Sequence, residues 1–324
     1  MQQEQINVAI DELWQLTQNP KRPASEIINE YTRQRRYIGS KDRKIITESV
    51  WARWRAMPYP EWLAKKINNF DDELTAMQTK QAPTVLRVNG NREQVKALLE
   101  KEGIETQITR LSALGLVLSK RTNLTTLNTF KQGLIEVQDE GSQMIGLATG
   151  IKPNDEVLEL CAGAGGKSLL FAQMMKNKGK IVASDISERS LKELQKRAKR
   201  ANVSVITTTL TLPNELFDFV VIDAPCSGTG TYRRAPDNVQ KLTEAQFQKL
   251  LETQATLLKK ATKYVKKSGK ICYMTCSLTQ DENQMQVQNF LKSCPAFYLE
   301  KELFFTPATT DTDGFYVAIL SKTD

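Results

Sequence analysis

The chain has 324 residues, 40% hydrophobic and 25% charged, an ordinary globular composition with room for about two domains. Lys+Arg 45 against Asp+Glu 37 gives a formal charge of +8, which fits a polyanionic partner or a merely solvated basic surface. There is no histidine, so imidazole metal sites are excluded and acid–base chemistry falls to Asp, Glu, Lys, Cys, Tyr or water.

Residues Ile6 to about Phe70 carry helical apolar spacing, clearest in Ser25–Tyr31 and in Ser40–Trp51, where Ser40 reads as an N-cap. Arg33, Arg35, Arg36, Lys41, Arg43, Lys44, Arg53 and Arg55 crowd this region, with Trp51 and Trp54 among them. Two readings stand open: an RNA-facing patch, or a helical bundle with an aromatic core and a solvated face. The composition shifts at Asp71-Asp-Glu73. Thr84–Val88 then alternates as a strand, Asn91 caps a helix over Glu93–Glu100, and short strand-like pieces follow at Thr106–Ile108, Gly115–Leu118 and Leu134–Val137. This is a small α+β unit.

From Ser142 strands and helices alternate. Strands are expected at Glu156–Leu160, Lys180–Ser184, Val203–Thr208, Phe217–Ile222, Lys270–Thr275 and Gly314–Leu320. Helices are expected at Gly166–Met175, Arg189–Ala201, Thr243–Val265 and Thr279–Leu291. Such alternation predicts an α/β fold, a doubly wound and mostly parallel Rossmann-like sheet with helices on both faces. No apolar run approaches the ~20 residues of a membrane span, and the opening MQQEQINVAIDEL is too acidic and polar for a signal peptide, so a cytoplasmic protein is expected. The five cysteines lack paired spacing and read as free thiols.

Ligands of open α/β sheets bind outside the carboxyl ends of the strands. Three stretches arrive there. Cys161-Ala162-Gly163-Ala164-Gly165-Gly166-Lys167 is a glycine turn between a strand and a helix, and Asp185 ends the next strand where an acid would reach a ribose hydroxyl. Dinucleotide binding wants a third glycine where Ser168 stands, whereas S-adenosylmethionine has no pyrophosphate and does not need it. A nucleoside site is expected; the loop alone does not choose between them. Asp223 and Cys226 leave a second strand through Pro225, Gly228 and Gly230, and Cys276 leaves a third. A thiolate can add to carbon 6 of a pyrimidine and make carbon 5 able to attack an activated methyl, with an acid such as Asp223 on the ring nitrogen. Cys272 and Cys294 read as small buried hydrophobes.

Asp223-Ala-Pro-Cys226-Ser-Gly-Thr-Gly230, followed by Thr275-Cys276-Ser277 and Glu282-Asn283, resembles the RsmB/NSUN family of RNA cytosine-5 methyltransferases. The similarity extends to Cys161–Lys167, Val137–Gln143, Arg233-Arg234 with Pro236-Asp237, and Asp313–Tyr316. It implies Cys276 as nucleophile, Cys226 as the thiol that assists release, and Asp223 against the cytosine and beside the cofactor. The loop Cys161–Lys167 and Asp185 would hold S-adenosylmethionine, and no metal is implied. The family also implies an N-terminal helical region over residues 1–75 (a shortened NusB type), an RRM-like RNA-binding unit over 76–137 and a methyltransferase domain over 138–324.

The function expected is methylation of cytosine carbon 5 in RNA, ribosomal RNA first and transfer RNA as the alternative, by a monomer with no DNA or membrane partner. An RNA-binding assembly factor without catalysis is the rival from another class. A nicotinamide dehydrogenase is the third and weakest.

Overall fold

The protein is described by a computed structural model over residues 1–79, 82–120 and 122–323. The chain opens with α1 (Gln3–Thr17), α2 (Ala24–Gln34), α3 (Ser40–Ala56), the single turn α4 (Glu61–Ala64) and α5 (Phe70–Thr79). The first three bury one apolar stripe each: Ile6, Ile10 and Leu13, then Ile27, Ile28 and Tyr31, then Ile46, Val50 and Trp54 form a common core. Trp54 is 2% exposed and donates its indole N–H to Thr17 Oγ1 at 3.2 Å, while Trp51 packs on the same core. The bundle reading therefore holds for both tryptophans. Part of the basic cluster is spent on α1: Arg35 meets Glu12 at 2.5 Å and Arg53 meets Asp11 at 2.6 Å.

Next come β1 (Val85–Val88), α6 (Arg92–Lys101), β2 (Thr106–Ile108), β3 (Gly115–Leu118), the single turn α7 (Asn128–Lys131) and β4 (Ile135–Val137). Asn91 does cap α6, accepting the Gln94 N–H at 3.0 Å. The strands form an antiparallel sheet in the order β2-β3-β1-β4, giving βαββαβ connectivity.

The rest comprises α8 (Glu140–Leu147), β5 (Glu156–Leu160), α9 (Gly166–Met174), β6 (Lys180–Ser184), α10 (Glu188–Arg200), β7 (Ile206–Thr209), β8 (Phe217–Asp223), α11 (Pro236–Gln240), α12 (Glu244–Ala261), β9 (Val265–Thr275), α13 (Gln284–Ser293), β10 (Phe297–Phe305), α14 (Pro307–Thr310) and β11 (Phe315–Lys322). The sheet order is β10-β11-β9-β8-β5-β6-β7, parallel from β9 to β7, with β11 and β10 added antiparallel. Successive strand residues point to opposite faces. Leu158, Val220, Ile222 and Ile271 pack under Leu258 of α12 and Val287 of α13. Val157, Val221 and Cys272 pack under Ile145 of α8 and Phe171 of α9. The doubly wound sheet is thus as the alternation required, and Cys272 is core.

Local differences have physical reasons. Residues 279–283 are a buried loop wound on Glu282 rather than the first turn of α13. The strand β10 was not expected. It is a mostly exposed edge strand, and a register shift between Leu299 and Lys301 breaks its alternation. The order of strands reverses between β5 and β8, which opens a crevice at their carboxyl ends.

Candidate active site

The turn after β5 is built on left-handed backbone: φ is 60° at Cys161, 54° at Gly163 and 81° at Gly165. Gly165 is obligatory, since a Cβ there would lie 1.9 Å from Leu194 Cδ1 of α10. At Gly163 and Gly166 a Cβ would meet nothing within 4 Å, so the loop presents bare backbone to open space. Asp185, half-exposed at the end of β6, holds the turn. Its Oδ2 accepts the Gly163 N–H and its Oδ1 the Ser187 N–H, each at 2.8 Å. Ala162 N–H bonds Ser184 O at 3.0 Å, and Arg197 Nη1 of α10 donates to Ala164 O at 2.7 Å. Burial and nearby acids, Asp185 foremost, push the Cys161 thiol up to about 12.

The residues fit a nucleoside. Each Asp185 oxygen keeps acceptor capacity beyond its loop bond. Ile186 directly after it is fully exposed, and Leu210, after the neighbouring strand β7, is 58% exposed. Two apolar side chains laid open beside a bare polar loop suit a heteroaromatic base joined to a sugar. Neither was singled out from sequence, although an apolar residue directly after a strand-end acid was there to be seen.

Beneath the loop Glu159 of β5 is 1% exposed and accepts the Ser168 hydroxyl. Burial pushes its carboxyl up to about 8, against the Ser168 hydrogen bond and with the charge of Asp223 adding to it. An unfolded glutamate titrates near 4.5. The stability this group contributes is therefore fully present below that pH and is lost as pH rises through about 8. Calorimetry should show the melting temperature falling between about pH 4.5 and about pH 8, and Glu159→Gln should flatten that fall. An unchanged slope in the variant would place its origin in another group.

Lys167 turns away from the loop. Its ammonium, 7% exposed, donates to Asp223 Oδ2 at 2.6 Å. Burial alone would lower the lysine, but Asp223, through charge and hydrogen bond, raises it above its ordinary value. Asp223 ends β8 and Cys276 follows the adjacent parallel strand β9. Cys226 and Cys276 face each other with sulfurs 3.2 Å apart, and the Cys276 N–H points at Cys226 Sγ at 3.3 Å. Both are free, half-buried thiols. Their hydrogen bond, then burial, raises the Cys226 thiol well above its ordinary range.

One buried carboxylate ties the two thiol loops together. Glu282, 0% exposed, accepts from Ser227 N–H at 2.7 Å and Ser227 Oγ at 2.5 Å, from Ser277 Oγ at 2.5 Å, from Thr279 Oγ1 at 2.9 Å and from Gln254 Nε2 at 3.0 Å. Asn283 accepts from Thr275 Oγ1 at 2.6 Å and donates to Ser277 O at 2.8 Å. A second network joins three motifs far apart in sequence. Asp313 accepts from Arg233 at 2.6 Å and also from Arg234, whose Nη2 reaches Asp139 at 2.8 Å. Asp237 accepts the Ala24 N–H at 2.7 Å and so caps α2 from across the chain.

The thiols open into a cavity of about 620 Å³ whose rim includes Lys21, Arg22, Lys241 and Lys249. Lys21 and Arg22 belong to the turn between α1 and α2, so the helical region overhangs the thiols. Sequence reasoning placed the basic surface at Arg33–Lys44 and missed this rim, because its residues come from distant parts of the chain, as in the bond from Lys241 Nζ to Arg22 O at 2.8 Å across 219 residues.

A glycine turn at a topological switch point, with an acid on the next strand, makes the large sheet a Rossmann-like methyltransferase fold. The chain belongs to the 16S rRNA methyltransferase RsmB/F family, whose model matches residues 147–321. The probable ribosomal RNA small subunit methyltransferase B of Bacillus subtilis is 30% identical over 82% of this chain. The chain spans 66% of that relative's length, just under two thirds. Among solved structures, PH0851 superposes with a TM-score of 0.78 at 27% identity, covering 92% of this chain and 76% of that one. A methyltransferase homologue from Pyrococcus horikoshii gives 0.69 at 26%, covering 80% and 93%.

Proposed function

We propose that this protein methylates carbon 5 of cytosine in RNA, ribosomal RNA foremost, using S-adenosylmethionine. The observation that carries the reading is the pair of facing thiols, 3.2 Å apart, at the ends of adjacent strands with Asp223 beside them. In this reading Cys276 adds to carbon 6 of the ring. Asp223, oriented by Lys167, bonds the pyrimidine edge and supports the charge that develops on the ring. S-adenosylmethionine supplies the electrophilic methyl group. The backbone of 161–166, Asp185 and the apolar pair Ile186 and Leu210 would hold it, and Lys167 acts on Asp223 instead. Once carbon 5 is methylated, the Cys226 sulfur as base takes the carbon 5 proton, the carbon 5–carbon 6 double bond re-forms, and the Cys276 sulfur departs from carbon 6 as thiolate, which is how Cys226 assists release.

The division that goes with this reading is a helical region over 1–75, an RNA-binding unit over 76–137 and a methyltransferase domain over 138–324. The test is methyl transfer from labelled S-adenosylmethionine to purified ribosomal RNA and, separately, to transfer RNA, with bisulfite sequencing of the product. Label at cytosine carbon 5 in ribosomal RNA is expected. Label on another base would overturn the chemistry, and label confined to transfer RNA would overturn the substrate.

The RNA surface proposed is the rim of the thiol cavity. Lys21 and Lys249 are exposed there, and replacing both by alanine should reduce the slope of log affinity against log salt by about 1.4, two phosphate contacts on a single strand. Arg35→Ala with Arg53→Ala should leave that slope unchanged, because both guanidiniums already face carboxylates of α1. The opposite pattern in filter binding would move the RNA to the outer helical face.

A further inference from the structure

The small four-stranded sheet reaches the glycine loop through a single guanidinium. Glu136 of β4, whose side chain is 3% exposed, accepts from Arg197 Nη2 at 3.0 Å, and its other oxygen accepts from Arg200. The second terminal nitrogen of Arg197 is the one that donates to Ala164 O at 2.7 Å. One planar side chain thus spans from an acid of the small sheet to a carbonyl of the loop. Charge-assisted bonds of this kind are the strong ones, and the fork geometry is what lets arginine make two at once.

The surrounding contact is built to match. Helix α10 starts three residues after Asp185, and its Leu194 fills the space that any side chain at Gly165 would need. The turn before β4 lies so close to the end of α10 that a Cβ on Gly133 would fall 2.3 Å from Arg200 O. The Arg200 guanidinium also covers the Phe130 ring, 3.9 Å from its centroid. Arg87, the register partner of Glu136 on β1, is fully buried and donates to Gln173 of α9 at 2.5 Å. Both helices that flank the loop are therefore fastened to the small sheet. The loop itself, with Gly163, Gly165 and Gly166 among six residues, has little stiffness of its own.

We propose that Glu136 is a positioning residue for the methyl-donor site. Through Arg197 it fixes the Ala164 peptide, and with it the Gly163 N–H that bonds Asp185, so that the small sheet sets the affinity of the loop for its nucleoside. The inference rests on the donor reading given above. It adds that donor affinity is controlled from outside the large sheet.

The test compares the wild-type chain with Glu136→Gln, Arg197→Lys and Arg200→Lys. Two quantities are measured: hydrogen–deuterium exchange of the 161–168 segment without ligand, and S-adenosylhomocysteine binding by calorimetry. In Glu136→Gln and Arg197→Lys the loop amides should exchange faster and the Kd should rise about tenfold, with kcat at saturating donor changed by less than about twofold. Arg200→Lys touches Glu136 but not the loop and should keep both wild-type values. If Glu136→Gln does not fold, Arg197→Lys, whose side chain is 17% exposed, carries the test. Wild-type exchange and Kd in Arg197→Lys would overturn the proposal, as would an equal loss in Arg200→Lys, which would signal general loosening. A wild-type chain that does not bind S-adenosylhomocysteine would instead sink the donor reading, and loop exchange would still decide whether the clamp exists.

Discussion

Cys276→Ala should abolish methyl transfer, by at least about a thousandfold in kcat, while RNA affinity stays near wild type. In the proposed mechanism nothing makes carbon 5 nucleophilic without sulfur at carbon 6, yet the basic rim proposed to meet RNA is untouched. Cys226→Ala should fail differently: the adduct forms through Cys276 but releases poorly, so a covalent protein–RNA species accumulates and survives a denaturing gel. Running both variants with cytosine-containing RNA and S-adenosylmethionine on one gel separates the roles. Adduct from the Cys276→Ala protein would reverse the assignment.

How much of this was legible depends on how far apart the partners lie in the chain. The strands β5 and β8 show as apolar runs that stop at glycine or proline, and β6 as one that stops at Asp185, so the places where Cys161, Asp185, Asp223 and Cys226 emerge could be read directly. The two cysteines of this segment separate by position: Cys272 lies inside β9 and is core, whereas Cys276 follows the last strand residue, Thr275, where the chain leaves the sheet and the thiol faces Cys226. Part of the basic cluster is neutralised by acids that spacing could not pair with it: Glu12 and Asp11 lie 23 and 42 residues from Arg35 and Arg53. Lys167 sits in a loop motif suited to a ligand, yet a carboxylate 56 residues on claims its ammonium. The overhang of Lys21 and Arg22 depends on Asp237 capping α2, a contact across 213 residues that no local pattern announces.

The largest loss of stability is expected at Asp313. Its side chain is 1% exposed, it accepts from both Arg233 and Arg234, and the Arg233 side chain is itself 1% exposed. Removing one partner of a buried pair leaves the other charge uncompensated, at a cost of about 3–5 kcal/mol. Asp313→Ala should lower the urea midpoint accordingly, whereas Asp311→Asn, which keeps a residue type suited to the left-handed backbone there (φ 61°) and removes the charge of a 61% exposed side chain 3.5 Å from Arg233, should cost less than about 1 kcal/mol. Asp313→Ala should also impair methyl transfer without touching the thiols. Gly314, the next residue, donates its N–H to Gly230 O at 2.7 Å, and Gly230 N–H in turn bonds Cys276 O at 3.0 Å. The two glycines are packed backbone to backbone, for a Cβ on Gly230 would fall 2.2 Å from Gly314 O. Asp313 thus pins the segment against which the Cys276 loop is registered. If the midpoint falls but kcat in the folded fraction stays at the wild-type value, the network serves stability alone. If neither moves, the buried arginines have found compensation elsewhere and the account of this network fails.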